Sequence, residues 1–148
     1  RQEKYPDIQM VALRPCDDLQ KKAFDETNSI LGAHPDVDLI MAICSPAVPG
    51  AAEAVKQSGR DDVKVIGLGL PNDNKRYVAA GITDCIVLWN TLDLGYLTVH
   101  VASKLADRSL SPGETSFGRL RDIHVTEGEV ILGPPLVFDK TNIDRFDF

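Results

Sequence analysis

Apolar residues in this chain fall into short runs that alternate with stretches of helical spacing, and short polar turns separate the two. A strand is predicted over Ile8-Gln9-Met10-Val11-Ala12-Leu13, after the Tyr5-Pro6-Asp7 turn. Asp17 and Asp18 can cap a helix from Leu19 to about Leu31, on which Ala23, Phe24, Thr27, Ile30 and Leu31 share one face. Gly32 stops that helix, and Ala33-His34-Pro35-Asp36 turns the chain. Leu39-Ile40-Met41-Ala42-Ile43 is wholly apolar and of strand length, as expected of an interior parallel strand.

The alternation continues. Ser45-Pro46 opens a helix to about Ser58, with serine as cap and Gly59 as terminator. Val63 to Leu68 reads as a strand, and Pro71-Asn72-Asp73-Asn74 begins a short helix ending near Ala80, before Gly81. Cys85-Ile86-Val87-Leu88 is the next strand, and Asp93 to about Leu105 the next helix. Strands alternating with helices define an α/β fold: an open parallel sheet with helices on both faces. After Ala106 the character changes. Ser109 to Glu114 is a surface turn, and Ile123-His124-Val125 and Val130-Ile131-Leu132 form a hairpin around Glu127-Gly128. An irregular tail follows from Pro134-Pro135. The expected organisation is one lobe over residues 1–148, with βα repeats over 1–106 and hairpin and tail over 107–148.

Composition narrows the function. A chain of 148 residues suffices for one domain with a core. A hydrophobic content of 43% and a charged content of 26% are ordinary for a globular protein. The net charge of −6, with no lysine/arginine cluster, argues against a nucleic-acid partner. No apolar run approaches the roughly 18–20 residues of a membrane span. Arg1-Gln2-Glu3-Lys4 does not read as a signal peptide. Cys16, Cys44 and Cys85 show no metal-ligand spacing and read as small buried apolar residues. A Cys16–Cys44 disulfide requires that their segments be neighbours. There is no G-x-S-x-G elbow, phosphate loop or dinucleotide fingerprint. Gly67-Leu68-Gly69-Leu70 is not followed by a phosphate-cradling helix. Neither enzyme chemistry nor a cofactor is expected.

The segment Leu88-Trp89-Asn90, with Asp93-Leu94-Gly95-Tyr96, sets the only tryptophan at the carboxyl end of a strand, where open α/β sheets bind ligands. Together with His34-Pro35-Asp36-Val37, Pro49-Gly50-Ala51-Ala52, Val65-Ile66-Gly67-Leu68 and Pro71-Asn72, it resembles the second lobe of periplasmic sugar-binding proteins of ABC importers, the ribose-type family. Gly133-Pro134-Pro135-Leu136-Val137-Phe138, Asn142-Ile143-Asp144 and Phe146-Asp147-Phe148 resemble the branch that binds rhamnose or autoinducer-2. The resemblance runs along nearly the whole chain. It implies a periplasmic location, a small-molecule sugar or autoinducer-2 as ligand, an ABC permease as partner, and cleft closure between two lobes. It further implies that the first lobe, and the first strand and helix of this one, lie outside the chain. A lobe alone should hold its ligand weakly, and the uncovered surface could support a homodimer.

Ligand-binding candidates are Ile43, Cys44, Ser45, Trp89 and Asn90. Trp89 can stack on the C–H face of a sugar ring, or plug the sheet edge. Asn90 offers an acceptor and two donors to paired hydroxyls, or serves a turn. Ile43, Cys44 and Ser45 end the central strand. The loop after this strand often carries a sugar-binding aspartate in the family it resembles and here reads Cys44-Ser45-Pro46; Ser45 can hydrogen-bond a sugar more weakly, or cap the following helix. Asp93 is best placed as a helix cap, while Leu70 and Pro71 shape the cleft. His34, His100 and His124 read as surface or helix-face residues. Two further readings share this architecture: the effector domain of a LacI-type regulator, and a small flavodoxin-like or receiver domain. The closing Pro-Pro-Leu-Val-Phe segment favours the transporter branch, and only Asp17 and Asp18 could supply a receiver's acids.

Overall fold

The structure is a computed structural model that describes residues 4–148; the Arg1-Gln2-Glu3 opening lies outside the described residues. The chain forms two compact units, one built from the chain up to Val87 together with Val137–Phe148, the other from Leu88–Leu136.

The first unit contains α1 (Gln20–Ala33), β1 (Leu39–Ala42), α2 (Ala47–Ser58), β2 (Lys64–Leu68) and α3 (Pro71–Ala79). To these it adds most of β3 (Thr83–Leu88), most of β6 (Leu136–Asp139) and a closing 3-10 turn, Ile143–Arg145. The four-stranded sheet has the order β1-β2-β3-β6, and β1, β2 and β3 run parallel. The helix α2 carries the small residues that let it pack closely: Val48, Ala51, Ala52, Ala54 and Val55 are all buried. A Cβ on Gly50 would stand 2.4 Å from the Gln20 carbonyl oxygen of α1, so the two helices meet at a position without a side chain. The α1 face agrees with its spacing, since Ala23, Thr27 and Leu31 are its buried residues.

Four sequence expectations are corrected. The Ile8–Leu13 segment is not a strand: it pairs with no ladder, and Ile8, Met10 and Leu13 are 60%, 70% and 77% exposed. Strand propensity needs a neighbouring backbone to satisfy its N–H and C=O groups, and none is recorded for this stretch. β1 is an edge strand and not an interior one, with Ile40 and Ala42 buried and Leu39 and Met41 exposed. The caps differ as well. Leu19 precedes α1 without a side-chain cap, while Asp17 and Asp18 adopt left-handed backbone and Asp17 pairs with Lys22. Pro46, not Ser45, is the cap position of α2, with no side-chain hydrogen bond. The tail is more regular than expected, because Leu136–Asp139 adds a fourth strand beside β3.

The turn chemistry holds where it was read. Gly59 closes α2 in left-handed conformation at φ 70°, which suits a residue without Cβ. In the tail, Phe138 is fully buried and packs edge-on against Phe146, with ring centroids 4.7 Å apart; Phe148 completes the cluster.

The second unit holds α4 (Thr91–Ala106) and the antiparallel hairpin of β4 (His124–Val125) and β5 (Val130–Ile131). Its core is Leu97, Phe117, Leu120, Ile123 and Val125. Tyr96 approaches Gly118 so closely that a Cβ there would sit 2.0 Å from the phenol oxygen.

Candidate functional site

The carboxyl ends of β1 and β2 open into a cleft of about 560 Å³, lined by Ser45, Pro46, Leu70, Asn72, Asp73 and Arg76, with Gln20 and Pro49 at its sides. Two helices begin here, α2 at Ala47 and α3 at Pro71. Their first turns offer few free donors, because Pro49 and Pro71 have no N–H and the N–H groups of Ala47 and Asn72 donate to the Cys44 and Phe148 carbonyls, so the polarity of the cleft comes from its side chains. Asp73, Gln20 and Asn72 add acceptors, and Arg76 a fixed cation. Such a wall suits a compact, hydroxyl-bearing molecule better than a purely apolar one.

Each wall is held from behind. Asn74 is completely buried and donates from Nδ2 to the Leu70 carbonyl at 2.9 Å, which fixes the turn from β2 into α3. Arg76 lies over the Tyr77 ring, its guanidinium carbon 4.5 Å from the centroid. The Tyr77 hydroxyl is buried and donates to Glu53 on α2 at 2.8 Å. Gln57 donates to the other Glu53 oxygen at 2.9 Å; this bond first, and Tyr77 second, hold the Glu53 carboxyl below its ordinary value. The closing residues also reach this rim: the Asn72 N–H donates to the Phe148 carbonyl at 3.1 Å, and its side chain donates to Asp147 at 3.1 Å.

Of the sequence candidates, Ser45 lines the cleft, and Ile43 and Cys44 precede it on the same loop. Ile43 is 73% exposed and Cys44 is half-buried. The Cys44 thiol is pushed up to about 11, chiefly by burial and then by hydrogen bonds with Cys16 and Asp18. Leu70 lines the cleft, and Pro71 is buried at the start of α3. Gln20, Asp73 and Arg76 were missed. Their only sequence signal is that they occupy first turns, or the turn just after, of helices facing strand ends.

Trp89 and Asn90 belong to the second unit and follow β3 directly; Trp89 is 41% exposed. Asn90, not Asp93, caps α4, its Oδ1 accepting from the Asp93 N–H at 3.1 Å. Among the described residues the amide nitrogen of Asn90 donates to no other group. Asp93 instead pairs with Arg119 at 2.6 Å, and Arg119 lies 4.7 Å from the Tyr96 centroid. His100 stacks at a tilt on Tyr96, and His124 is exposed on β4. Among the described residues no cluster of three or more His, Cys, Asp or Glu could hold a metal ion, and no helix is long and apolar enough to cross a membrane.

A mostly parallel sheet with a polar cleft at its carboxyl ends is the architecture of one lobe of a type I periplasmic binding protein. A family model described as periplasmic binding protein domain matches residues 1–109, and the chain belongs to that family. Among solved structures it is similar to LsrB from Clostridium saccharobutylicum in complex with AI-2, at 27% identity and a TM-score of 0.81, covering 99% of this chain and 52% of that one. It is also similar to an ABC transporter solute binding protein from Clostridium phytofermentas with bound L-rhamnose, at 25% identity and a TM-score of 0.78, covering 97% and 50%. The D-apiose import binding protein of Paraburkholderia graminis is 28% identical over 113 residues, 76% of this chain and 35% of that protein. The chain thus spans about half the length of these solved chains and about a third of this curated relative. The sequence resemblance is borne out at the level of the family and of the fold.

Proposed function

We propose that the chain supplies one ligand-contacting lobe of a solute receptor for an ABC importer, binding a rhamnose-like sugar or autoinducer-2. The observation that carries this reading is the cleft at the carboxyl ends of β1 and β2, lined by the polar side chains of Ser45, Asn72, Asp73 and Arg76. Support comes from the likeness to solved proteins with bound AI-2 and L-rhamnose. Ser45 and the backbone of Ile43 and Cys44 contribute hydrogen bonds from the loop after β1. Trp89 stacks on the ligand's C–H face, and Asn90 offers its amide to a hydroxyl. The lobe contributes binding and closure, with no bond made or broken, and the closed receptor docks on a permease in the periplasm. In this reading residues 1–148 act as a single functional lobe.

Leu39, Met41 and Ile43 form an exposed apolar strip along β1, and Ile8, Met10 and Leu13 are exposed as well. We propose that a second copy of the chain covers it.

A thermal-shift titration tests the ligand reading, with L-rhamnose and autoinducer-2 at millimolar concentration against D-ribose as comparison. Stabilisation by about 2 °C or more with either of the first two, lost in Trp89→Ala, supports it. A cooperatively folded sample that none of the three shifts would sink it.

A further inference from the structure

Cys16 and Cys44 are 28 positions apart in sequence, yet their Sγ atoms stand 3.5 Å from one another. Both are free thiols and both are half-buried. Cys16 ends the extended stretch that begins near Ile8, just before the left-handed pair Asp17 and Asp18 that leads into α1. Cys44 is on the loop that leaves β1. The recorded backbone bonds of the intervening stretch are sparse: the Ile8 N–H reaches the Tyr5 carbonyl, and the Leu19 N–H reaches the Cys16 carbonyl. The side chains of Ile8, Met10, Val11 and Leu13 are largely exposed, and the thiol pair joins the end of this segment to the loop after β1.

We propose that Cys16 and Cys44 form a disulfide under oxidising conditions, tethering the segment before α1 to the end of β1. The sulfurs must close from 3.5 Å to the roughly 2.05 Å of the bond, a movement within reach of side-chain rotation. A disulfide exchange partner supplies the oxidant, with glutathione disulfide as the simplest example. The Cys16 thiolate attacks one sulfur of glutathione disulfide, forming a mixed disulfide and releasing one glutathione thiolate. Cys44 then gives up its proton and attacks the Cys16 sulfur, displacing the second glutathione. The two cysteines lose two electrons and two protons, and one glutathione disulfide becomes two glutathiones. Burial holds the proton on Cys44, which slows its attack, and the proximity of the two sulfurs at 3.5 Å offsets this in the intramolecular step. Cys85 is also half-buried, on β3, and serves as an internal control. The cross-link does not depend on the identity of the ligand.

The test incubates the reduced chain with glutathione disulfide under native conditions, blocks free thiols with N-ethylmaleimide and measures the intact mass. Trypsin separates Cys16 from Cys44 at Lys21 and Lys22, so a non-reducing digest identifies any bridge. The expected result is one blocked thiol, at Cys85, and a Cys16–Cys44 cross-linked peptide that dithiothreitol releases. The melting temperature should rise by about 5 °C or more on oxidation. Cys16→Ser and Cys44→Ser should each abolish the cross-link, and Cys85→Ser should retain it. Three blocked thiols, a persistent glutathione adduct or a bridge through Cys85 would each overturn the proposal, and all are read on the wild-type chain.

Discussion

The Tyr77 hydroxyl donates to the Glu53 carboxylate across 2.8 Å, joining α3 to α2 beneath the cleft rim. Tyr77 is 1% exposed, so its hydroxyl has little access to water as an alternative partner. Tyr77→Phe should destabilise the chain by about 1 kcal/mol, the net worth of one buried hydrogen bond. Acid denaturation gives the second readout. Glu53 is held below its ordinary value of 4.5, first by Gln57 and then by Tyr77. A depressed carboxyl stabilises the fold above its unfolded pKa and loses that contribution as pH falls through its folded pKa. Melting temperature should therefore fall as pH drops from about 5 through the carboxylate range, and Glu53→Gln should flatten that fall. An unchanged pH profile in Glu53→Gln would show that the contact carries no linkage.

Gly67 pairs with Ala42 across the β1–β2 ladder, and a Cβ there would lie 1.8 Å from the Ala42 carbonyl oxygen. That atom is backbone and cannot swing aside. Gly67→Ala should cost about 2 kcal/mol or more by forcing β1 away from β2. Gly32→Ala makes the matched control, because nothing lies within 4 Å of the corresponding Cβ. Equal melting temperatures for the two variants, in a denaturation series, would refute the close approach.

These positions show what the sequence could disclose. The alternation of strands and helices, the Gly59 terminator and the hairpin around Glu127-Gly128 are local signals, and each appears where its residues stand. What a strand pairs with is not local. Leu39–Ile43 reads as interior because every residue is apolar, yet only Ile40 and Ala42 are covered. Ile8–Leu13 has strand residues but no recorded ladder. Leu136–Asp139 does join the sheet, although Pro134-Pro135 just before it reads as irregular tail. In the cleft, Ser45 was reachable from its place after an apolar run. Gln20, Asp73 and Arg76 were not, because polar residues in a first helical turn are common and only the packing of α1, α2 and α3 brings these together.

Asn90 has two roles that can be separated. Its Oδ1 caps α4, and its amide nitrogen is the group proposed to meet the ligand. Asn90→Ser keeps an oxygen able to cap and removes the amide, so stability should change by only a few tenths of a kcal/mol. Asn90→Ala removes both and should cost about 1 kcal/mol. If the ligand reading holds, the stabilisation by L-rhamnose or autoinducer-2 shrinks in both variants alike. Full retention of ligand stabilisation in Asn90→Ser, measured by thermal shift, would confine this residue to capping.

The apolar strip along β1 yields a prediction about assembly. Met41 and Ile43 are 58% and 73% exposed, and Met10 and Leu13 are exposed to a similar degree. Among the described residues β1 carries a ladder on its β2 side alone, so its other side offers backbone donors and acceptors to an incoming strand. A second copy can provide that strand through its own Ile8–Leu13 segment, which has exposed apolar side chains and, among the described residues, joins no ladder. Size-exclusion chromatography with light scattering should then report twice the 16.2 kDa chain mass at tens of micromolar. Met41→Lys places a charge on the strip, which natural edge strands use against such pairing, and it should shift the mass toward one chain without lowering the melting temperature of the monomer. A monodisperse wild-type monomer over that concentration range would rule the pairing out.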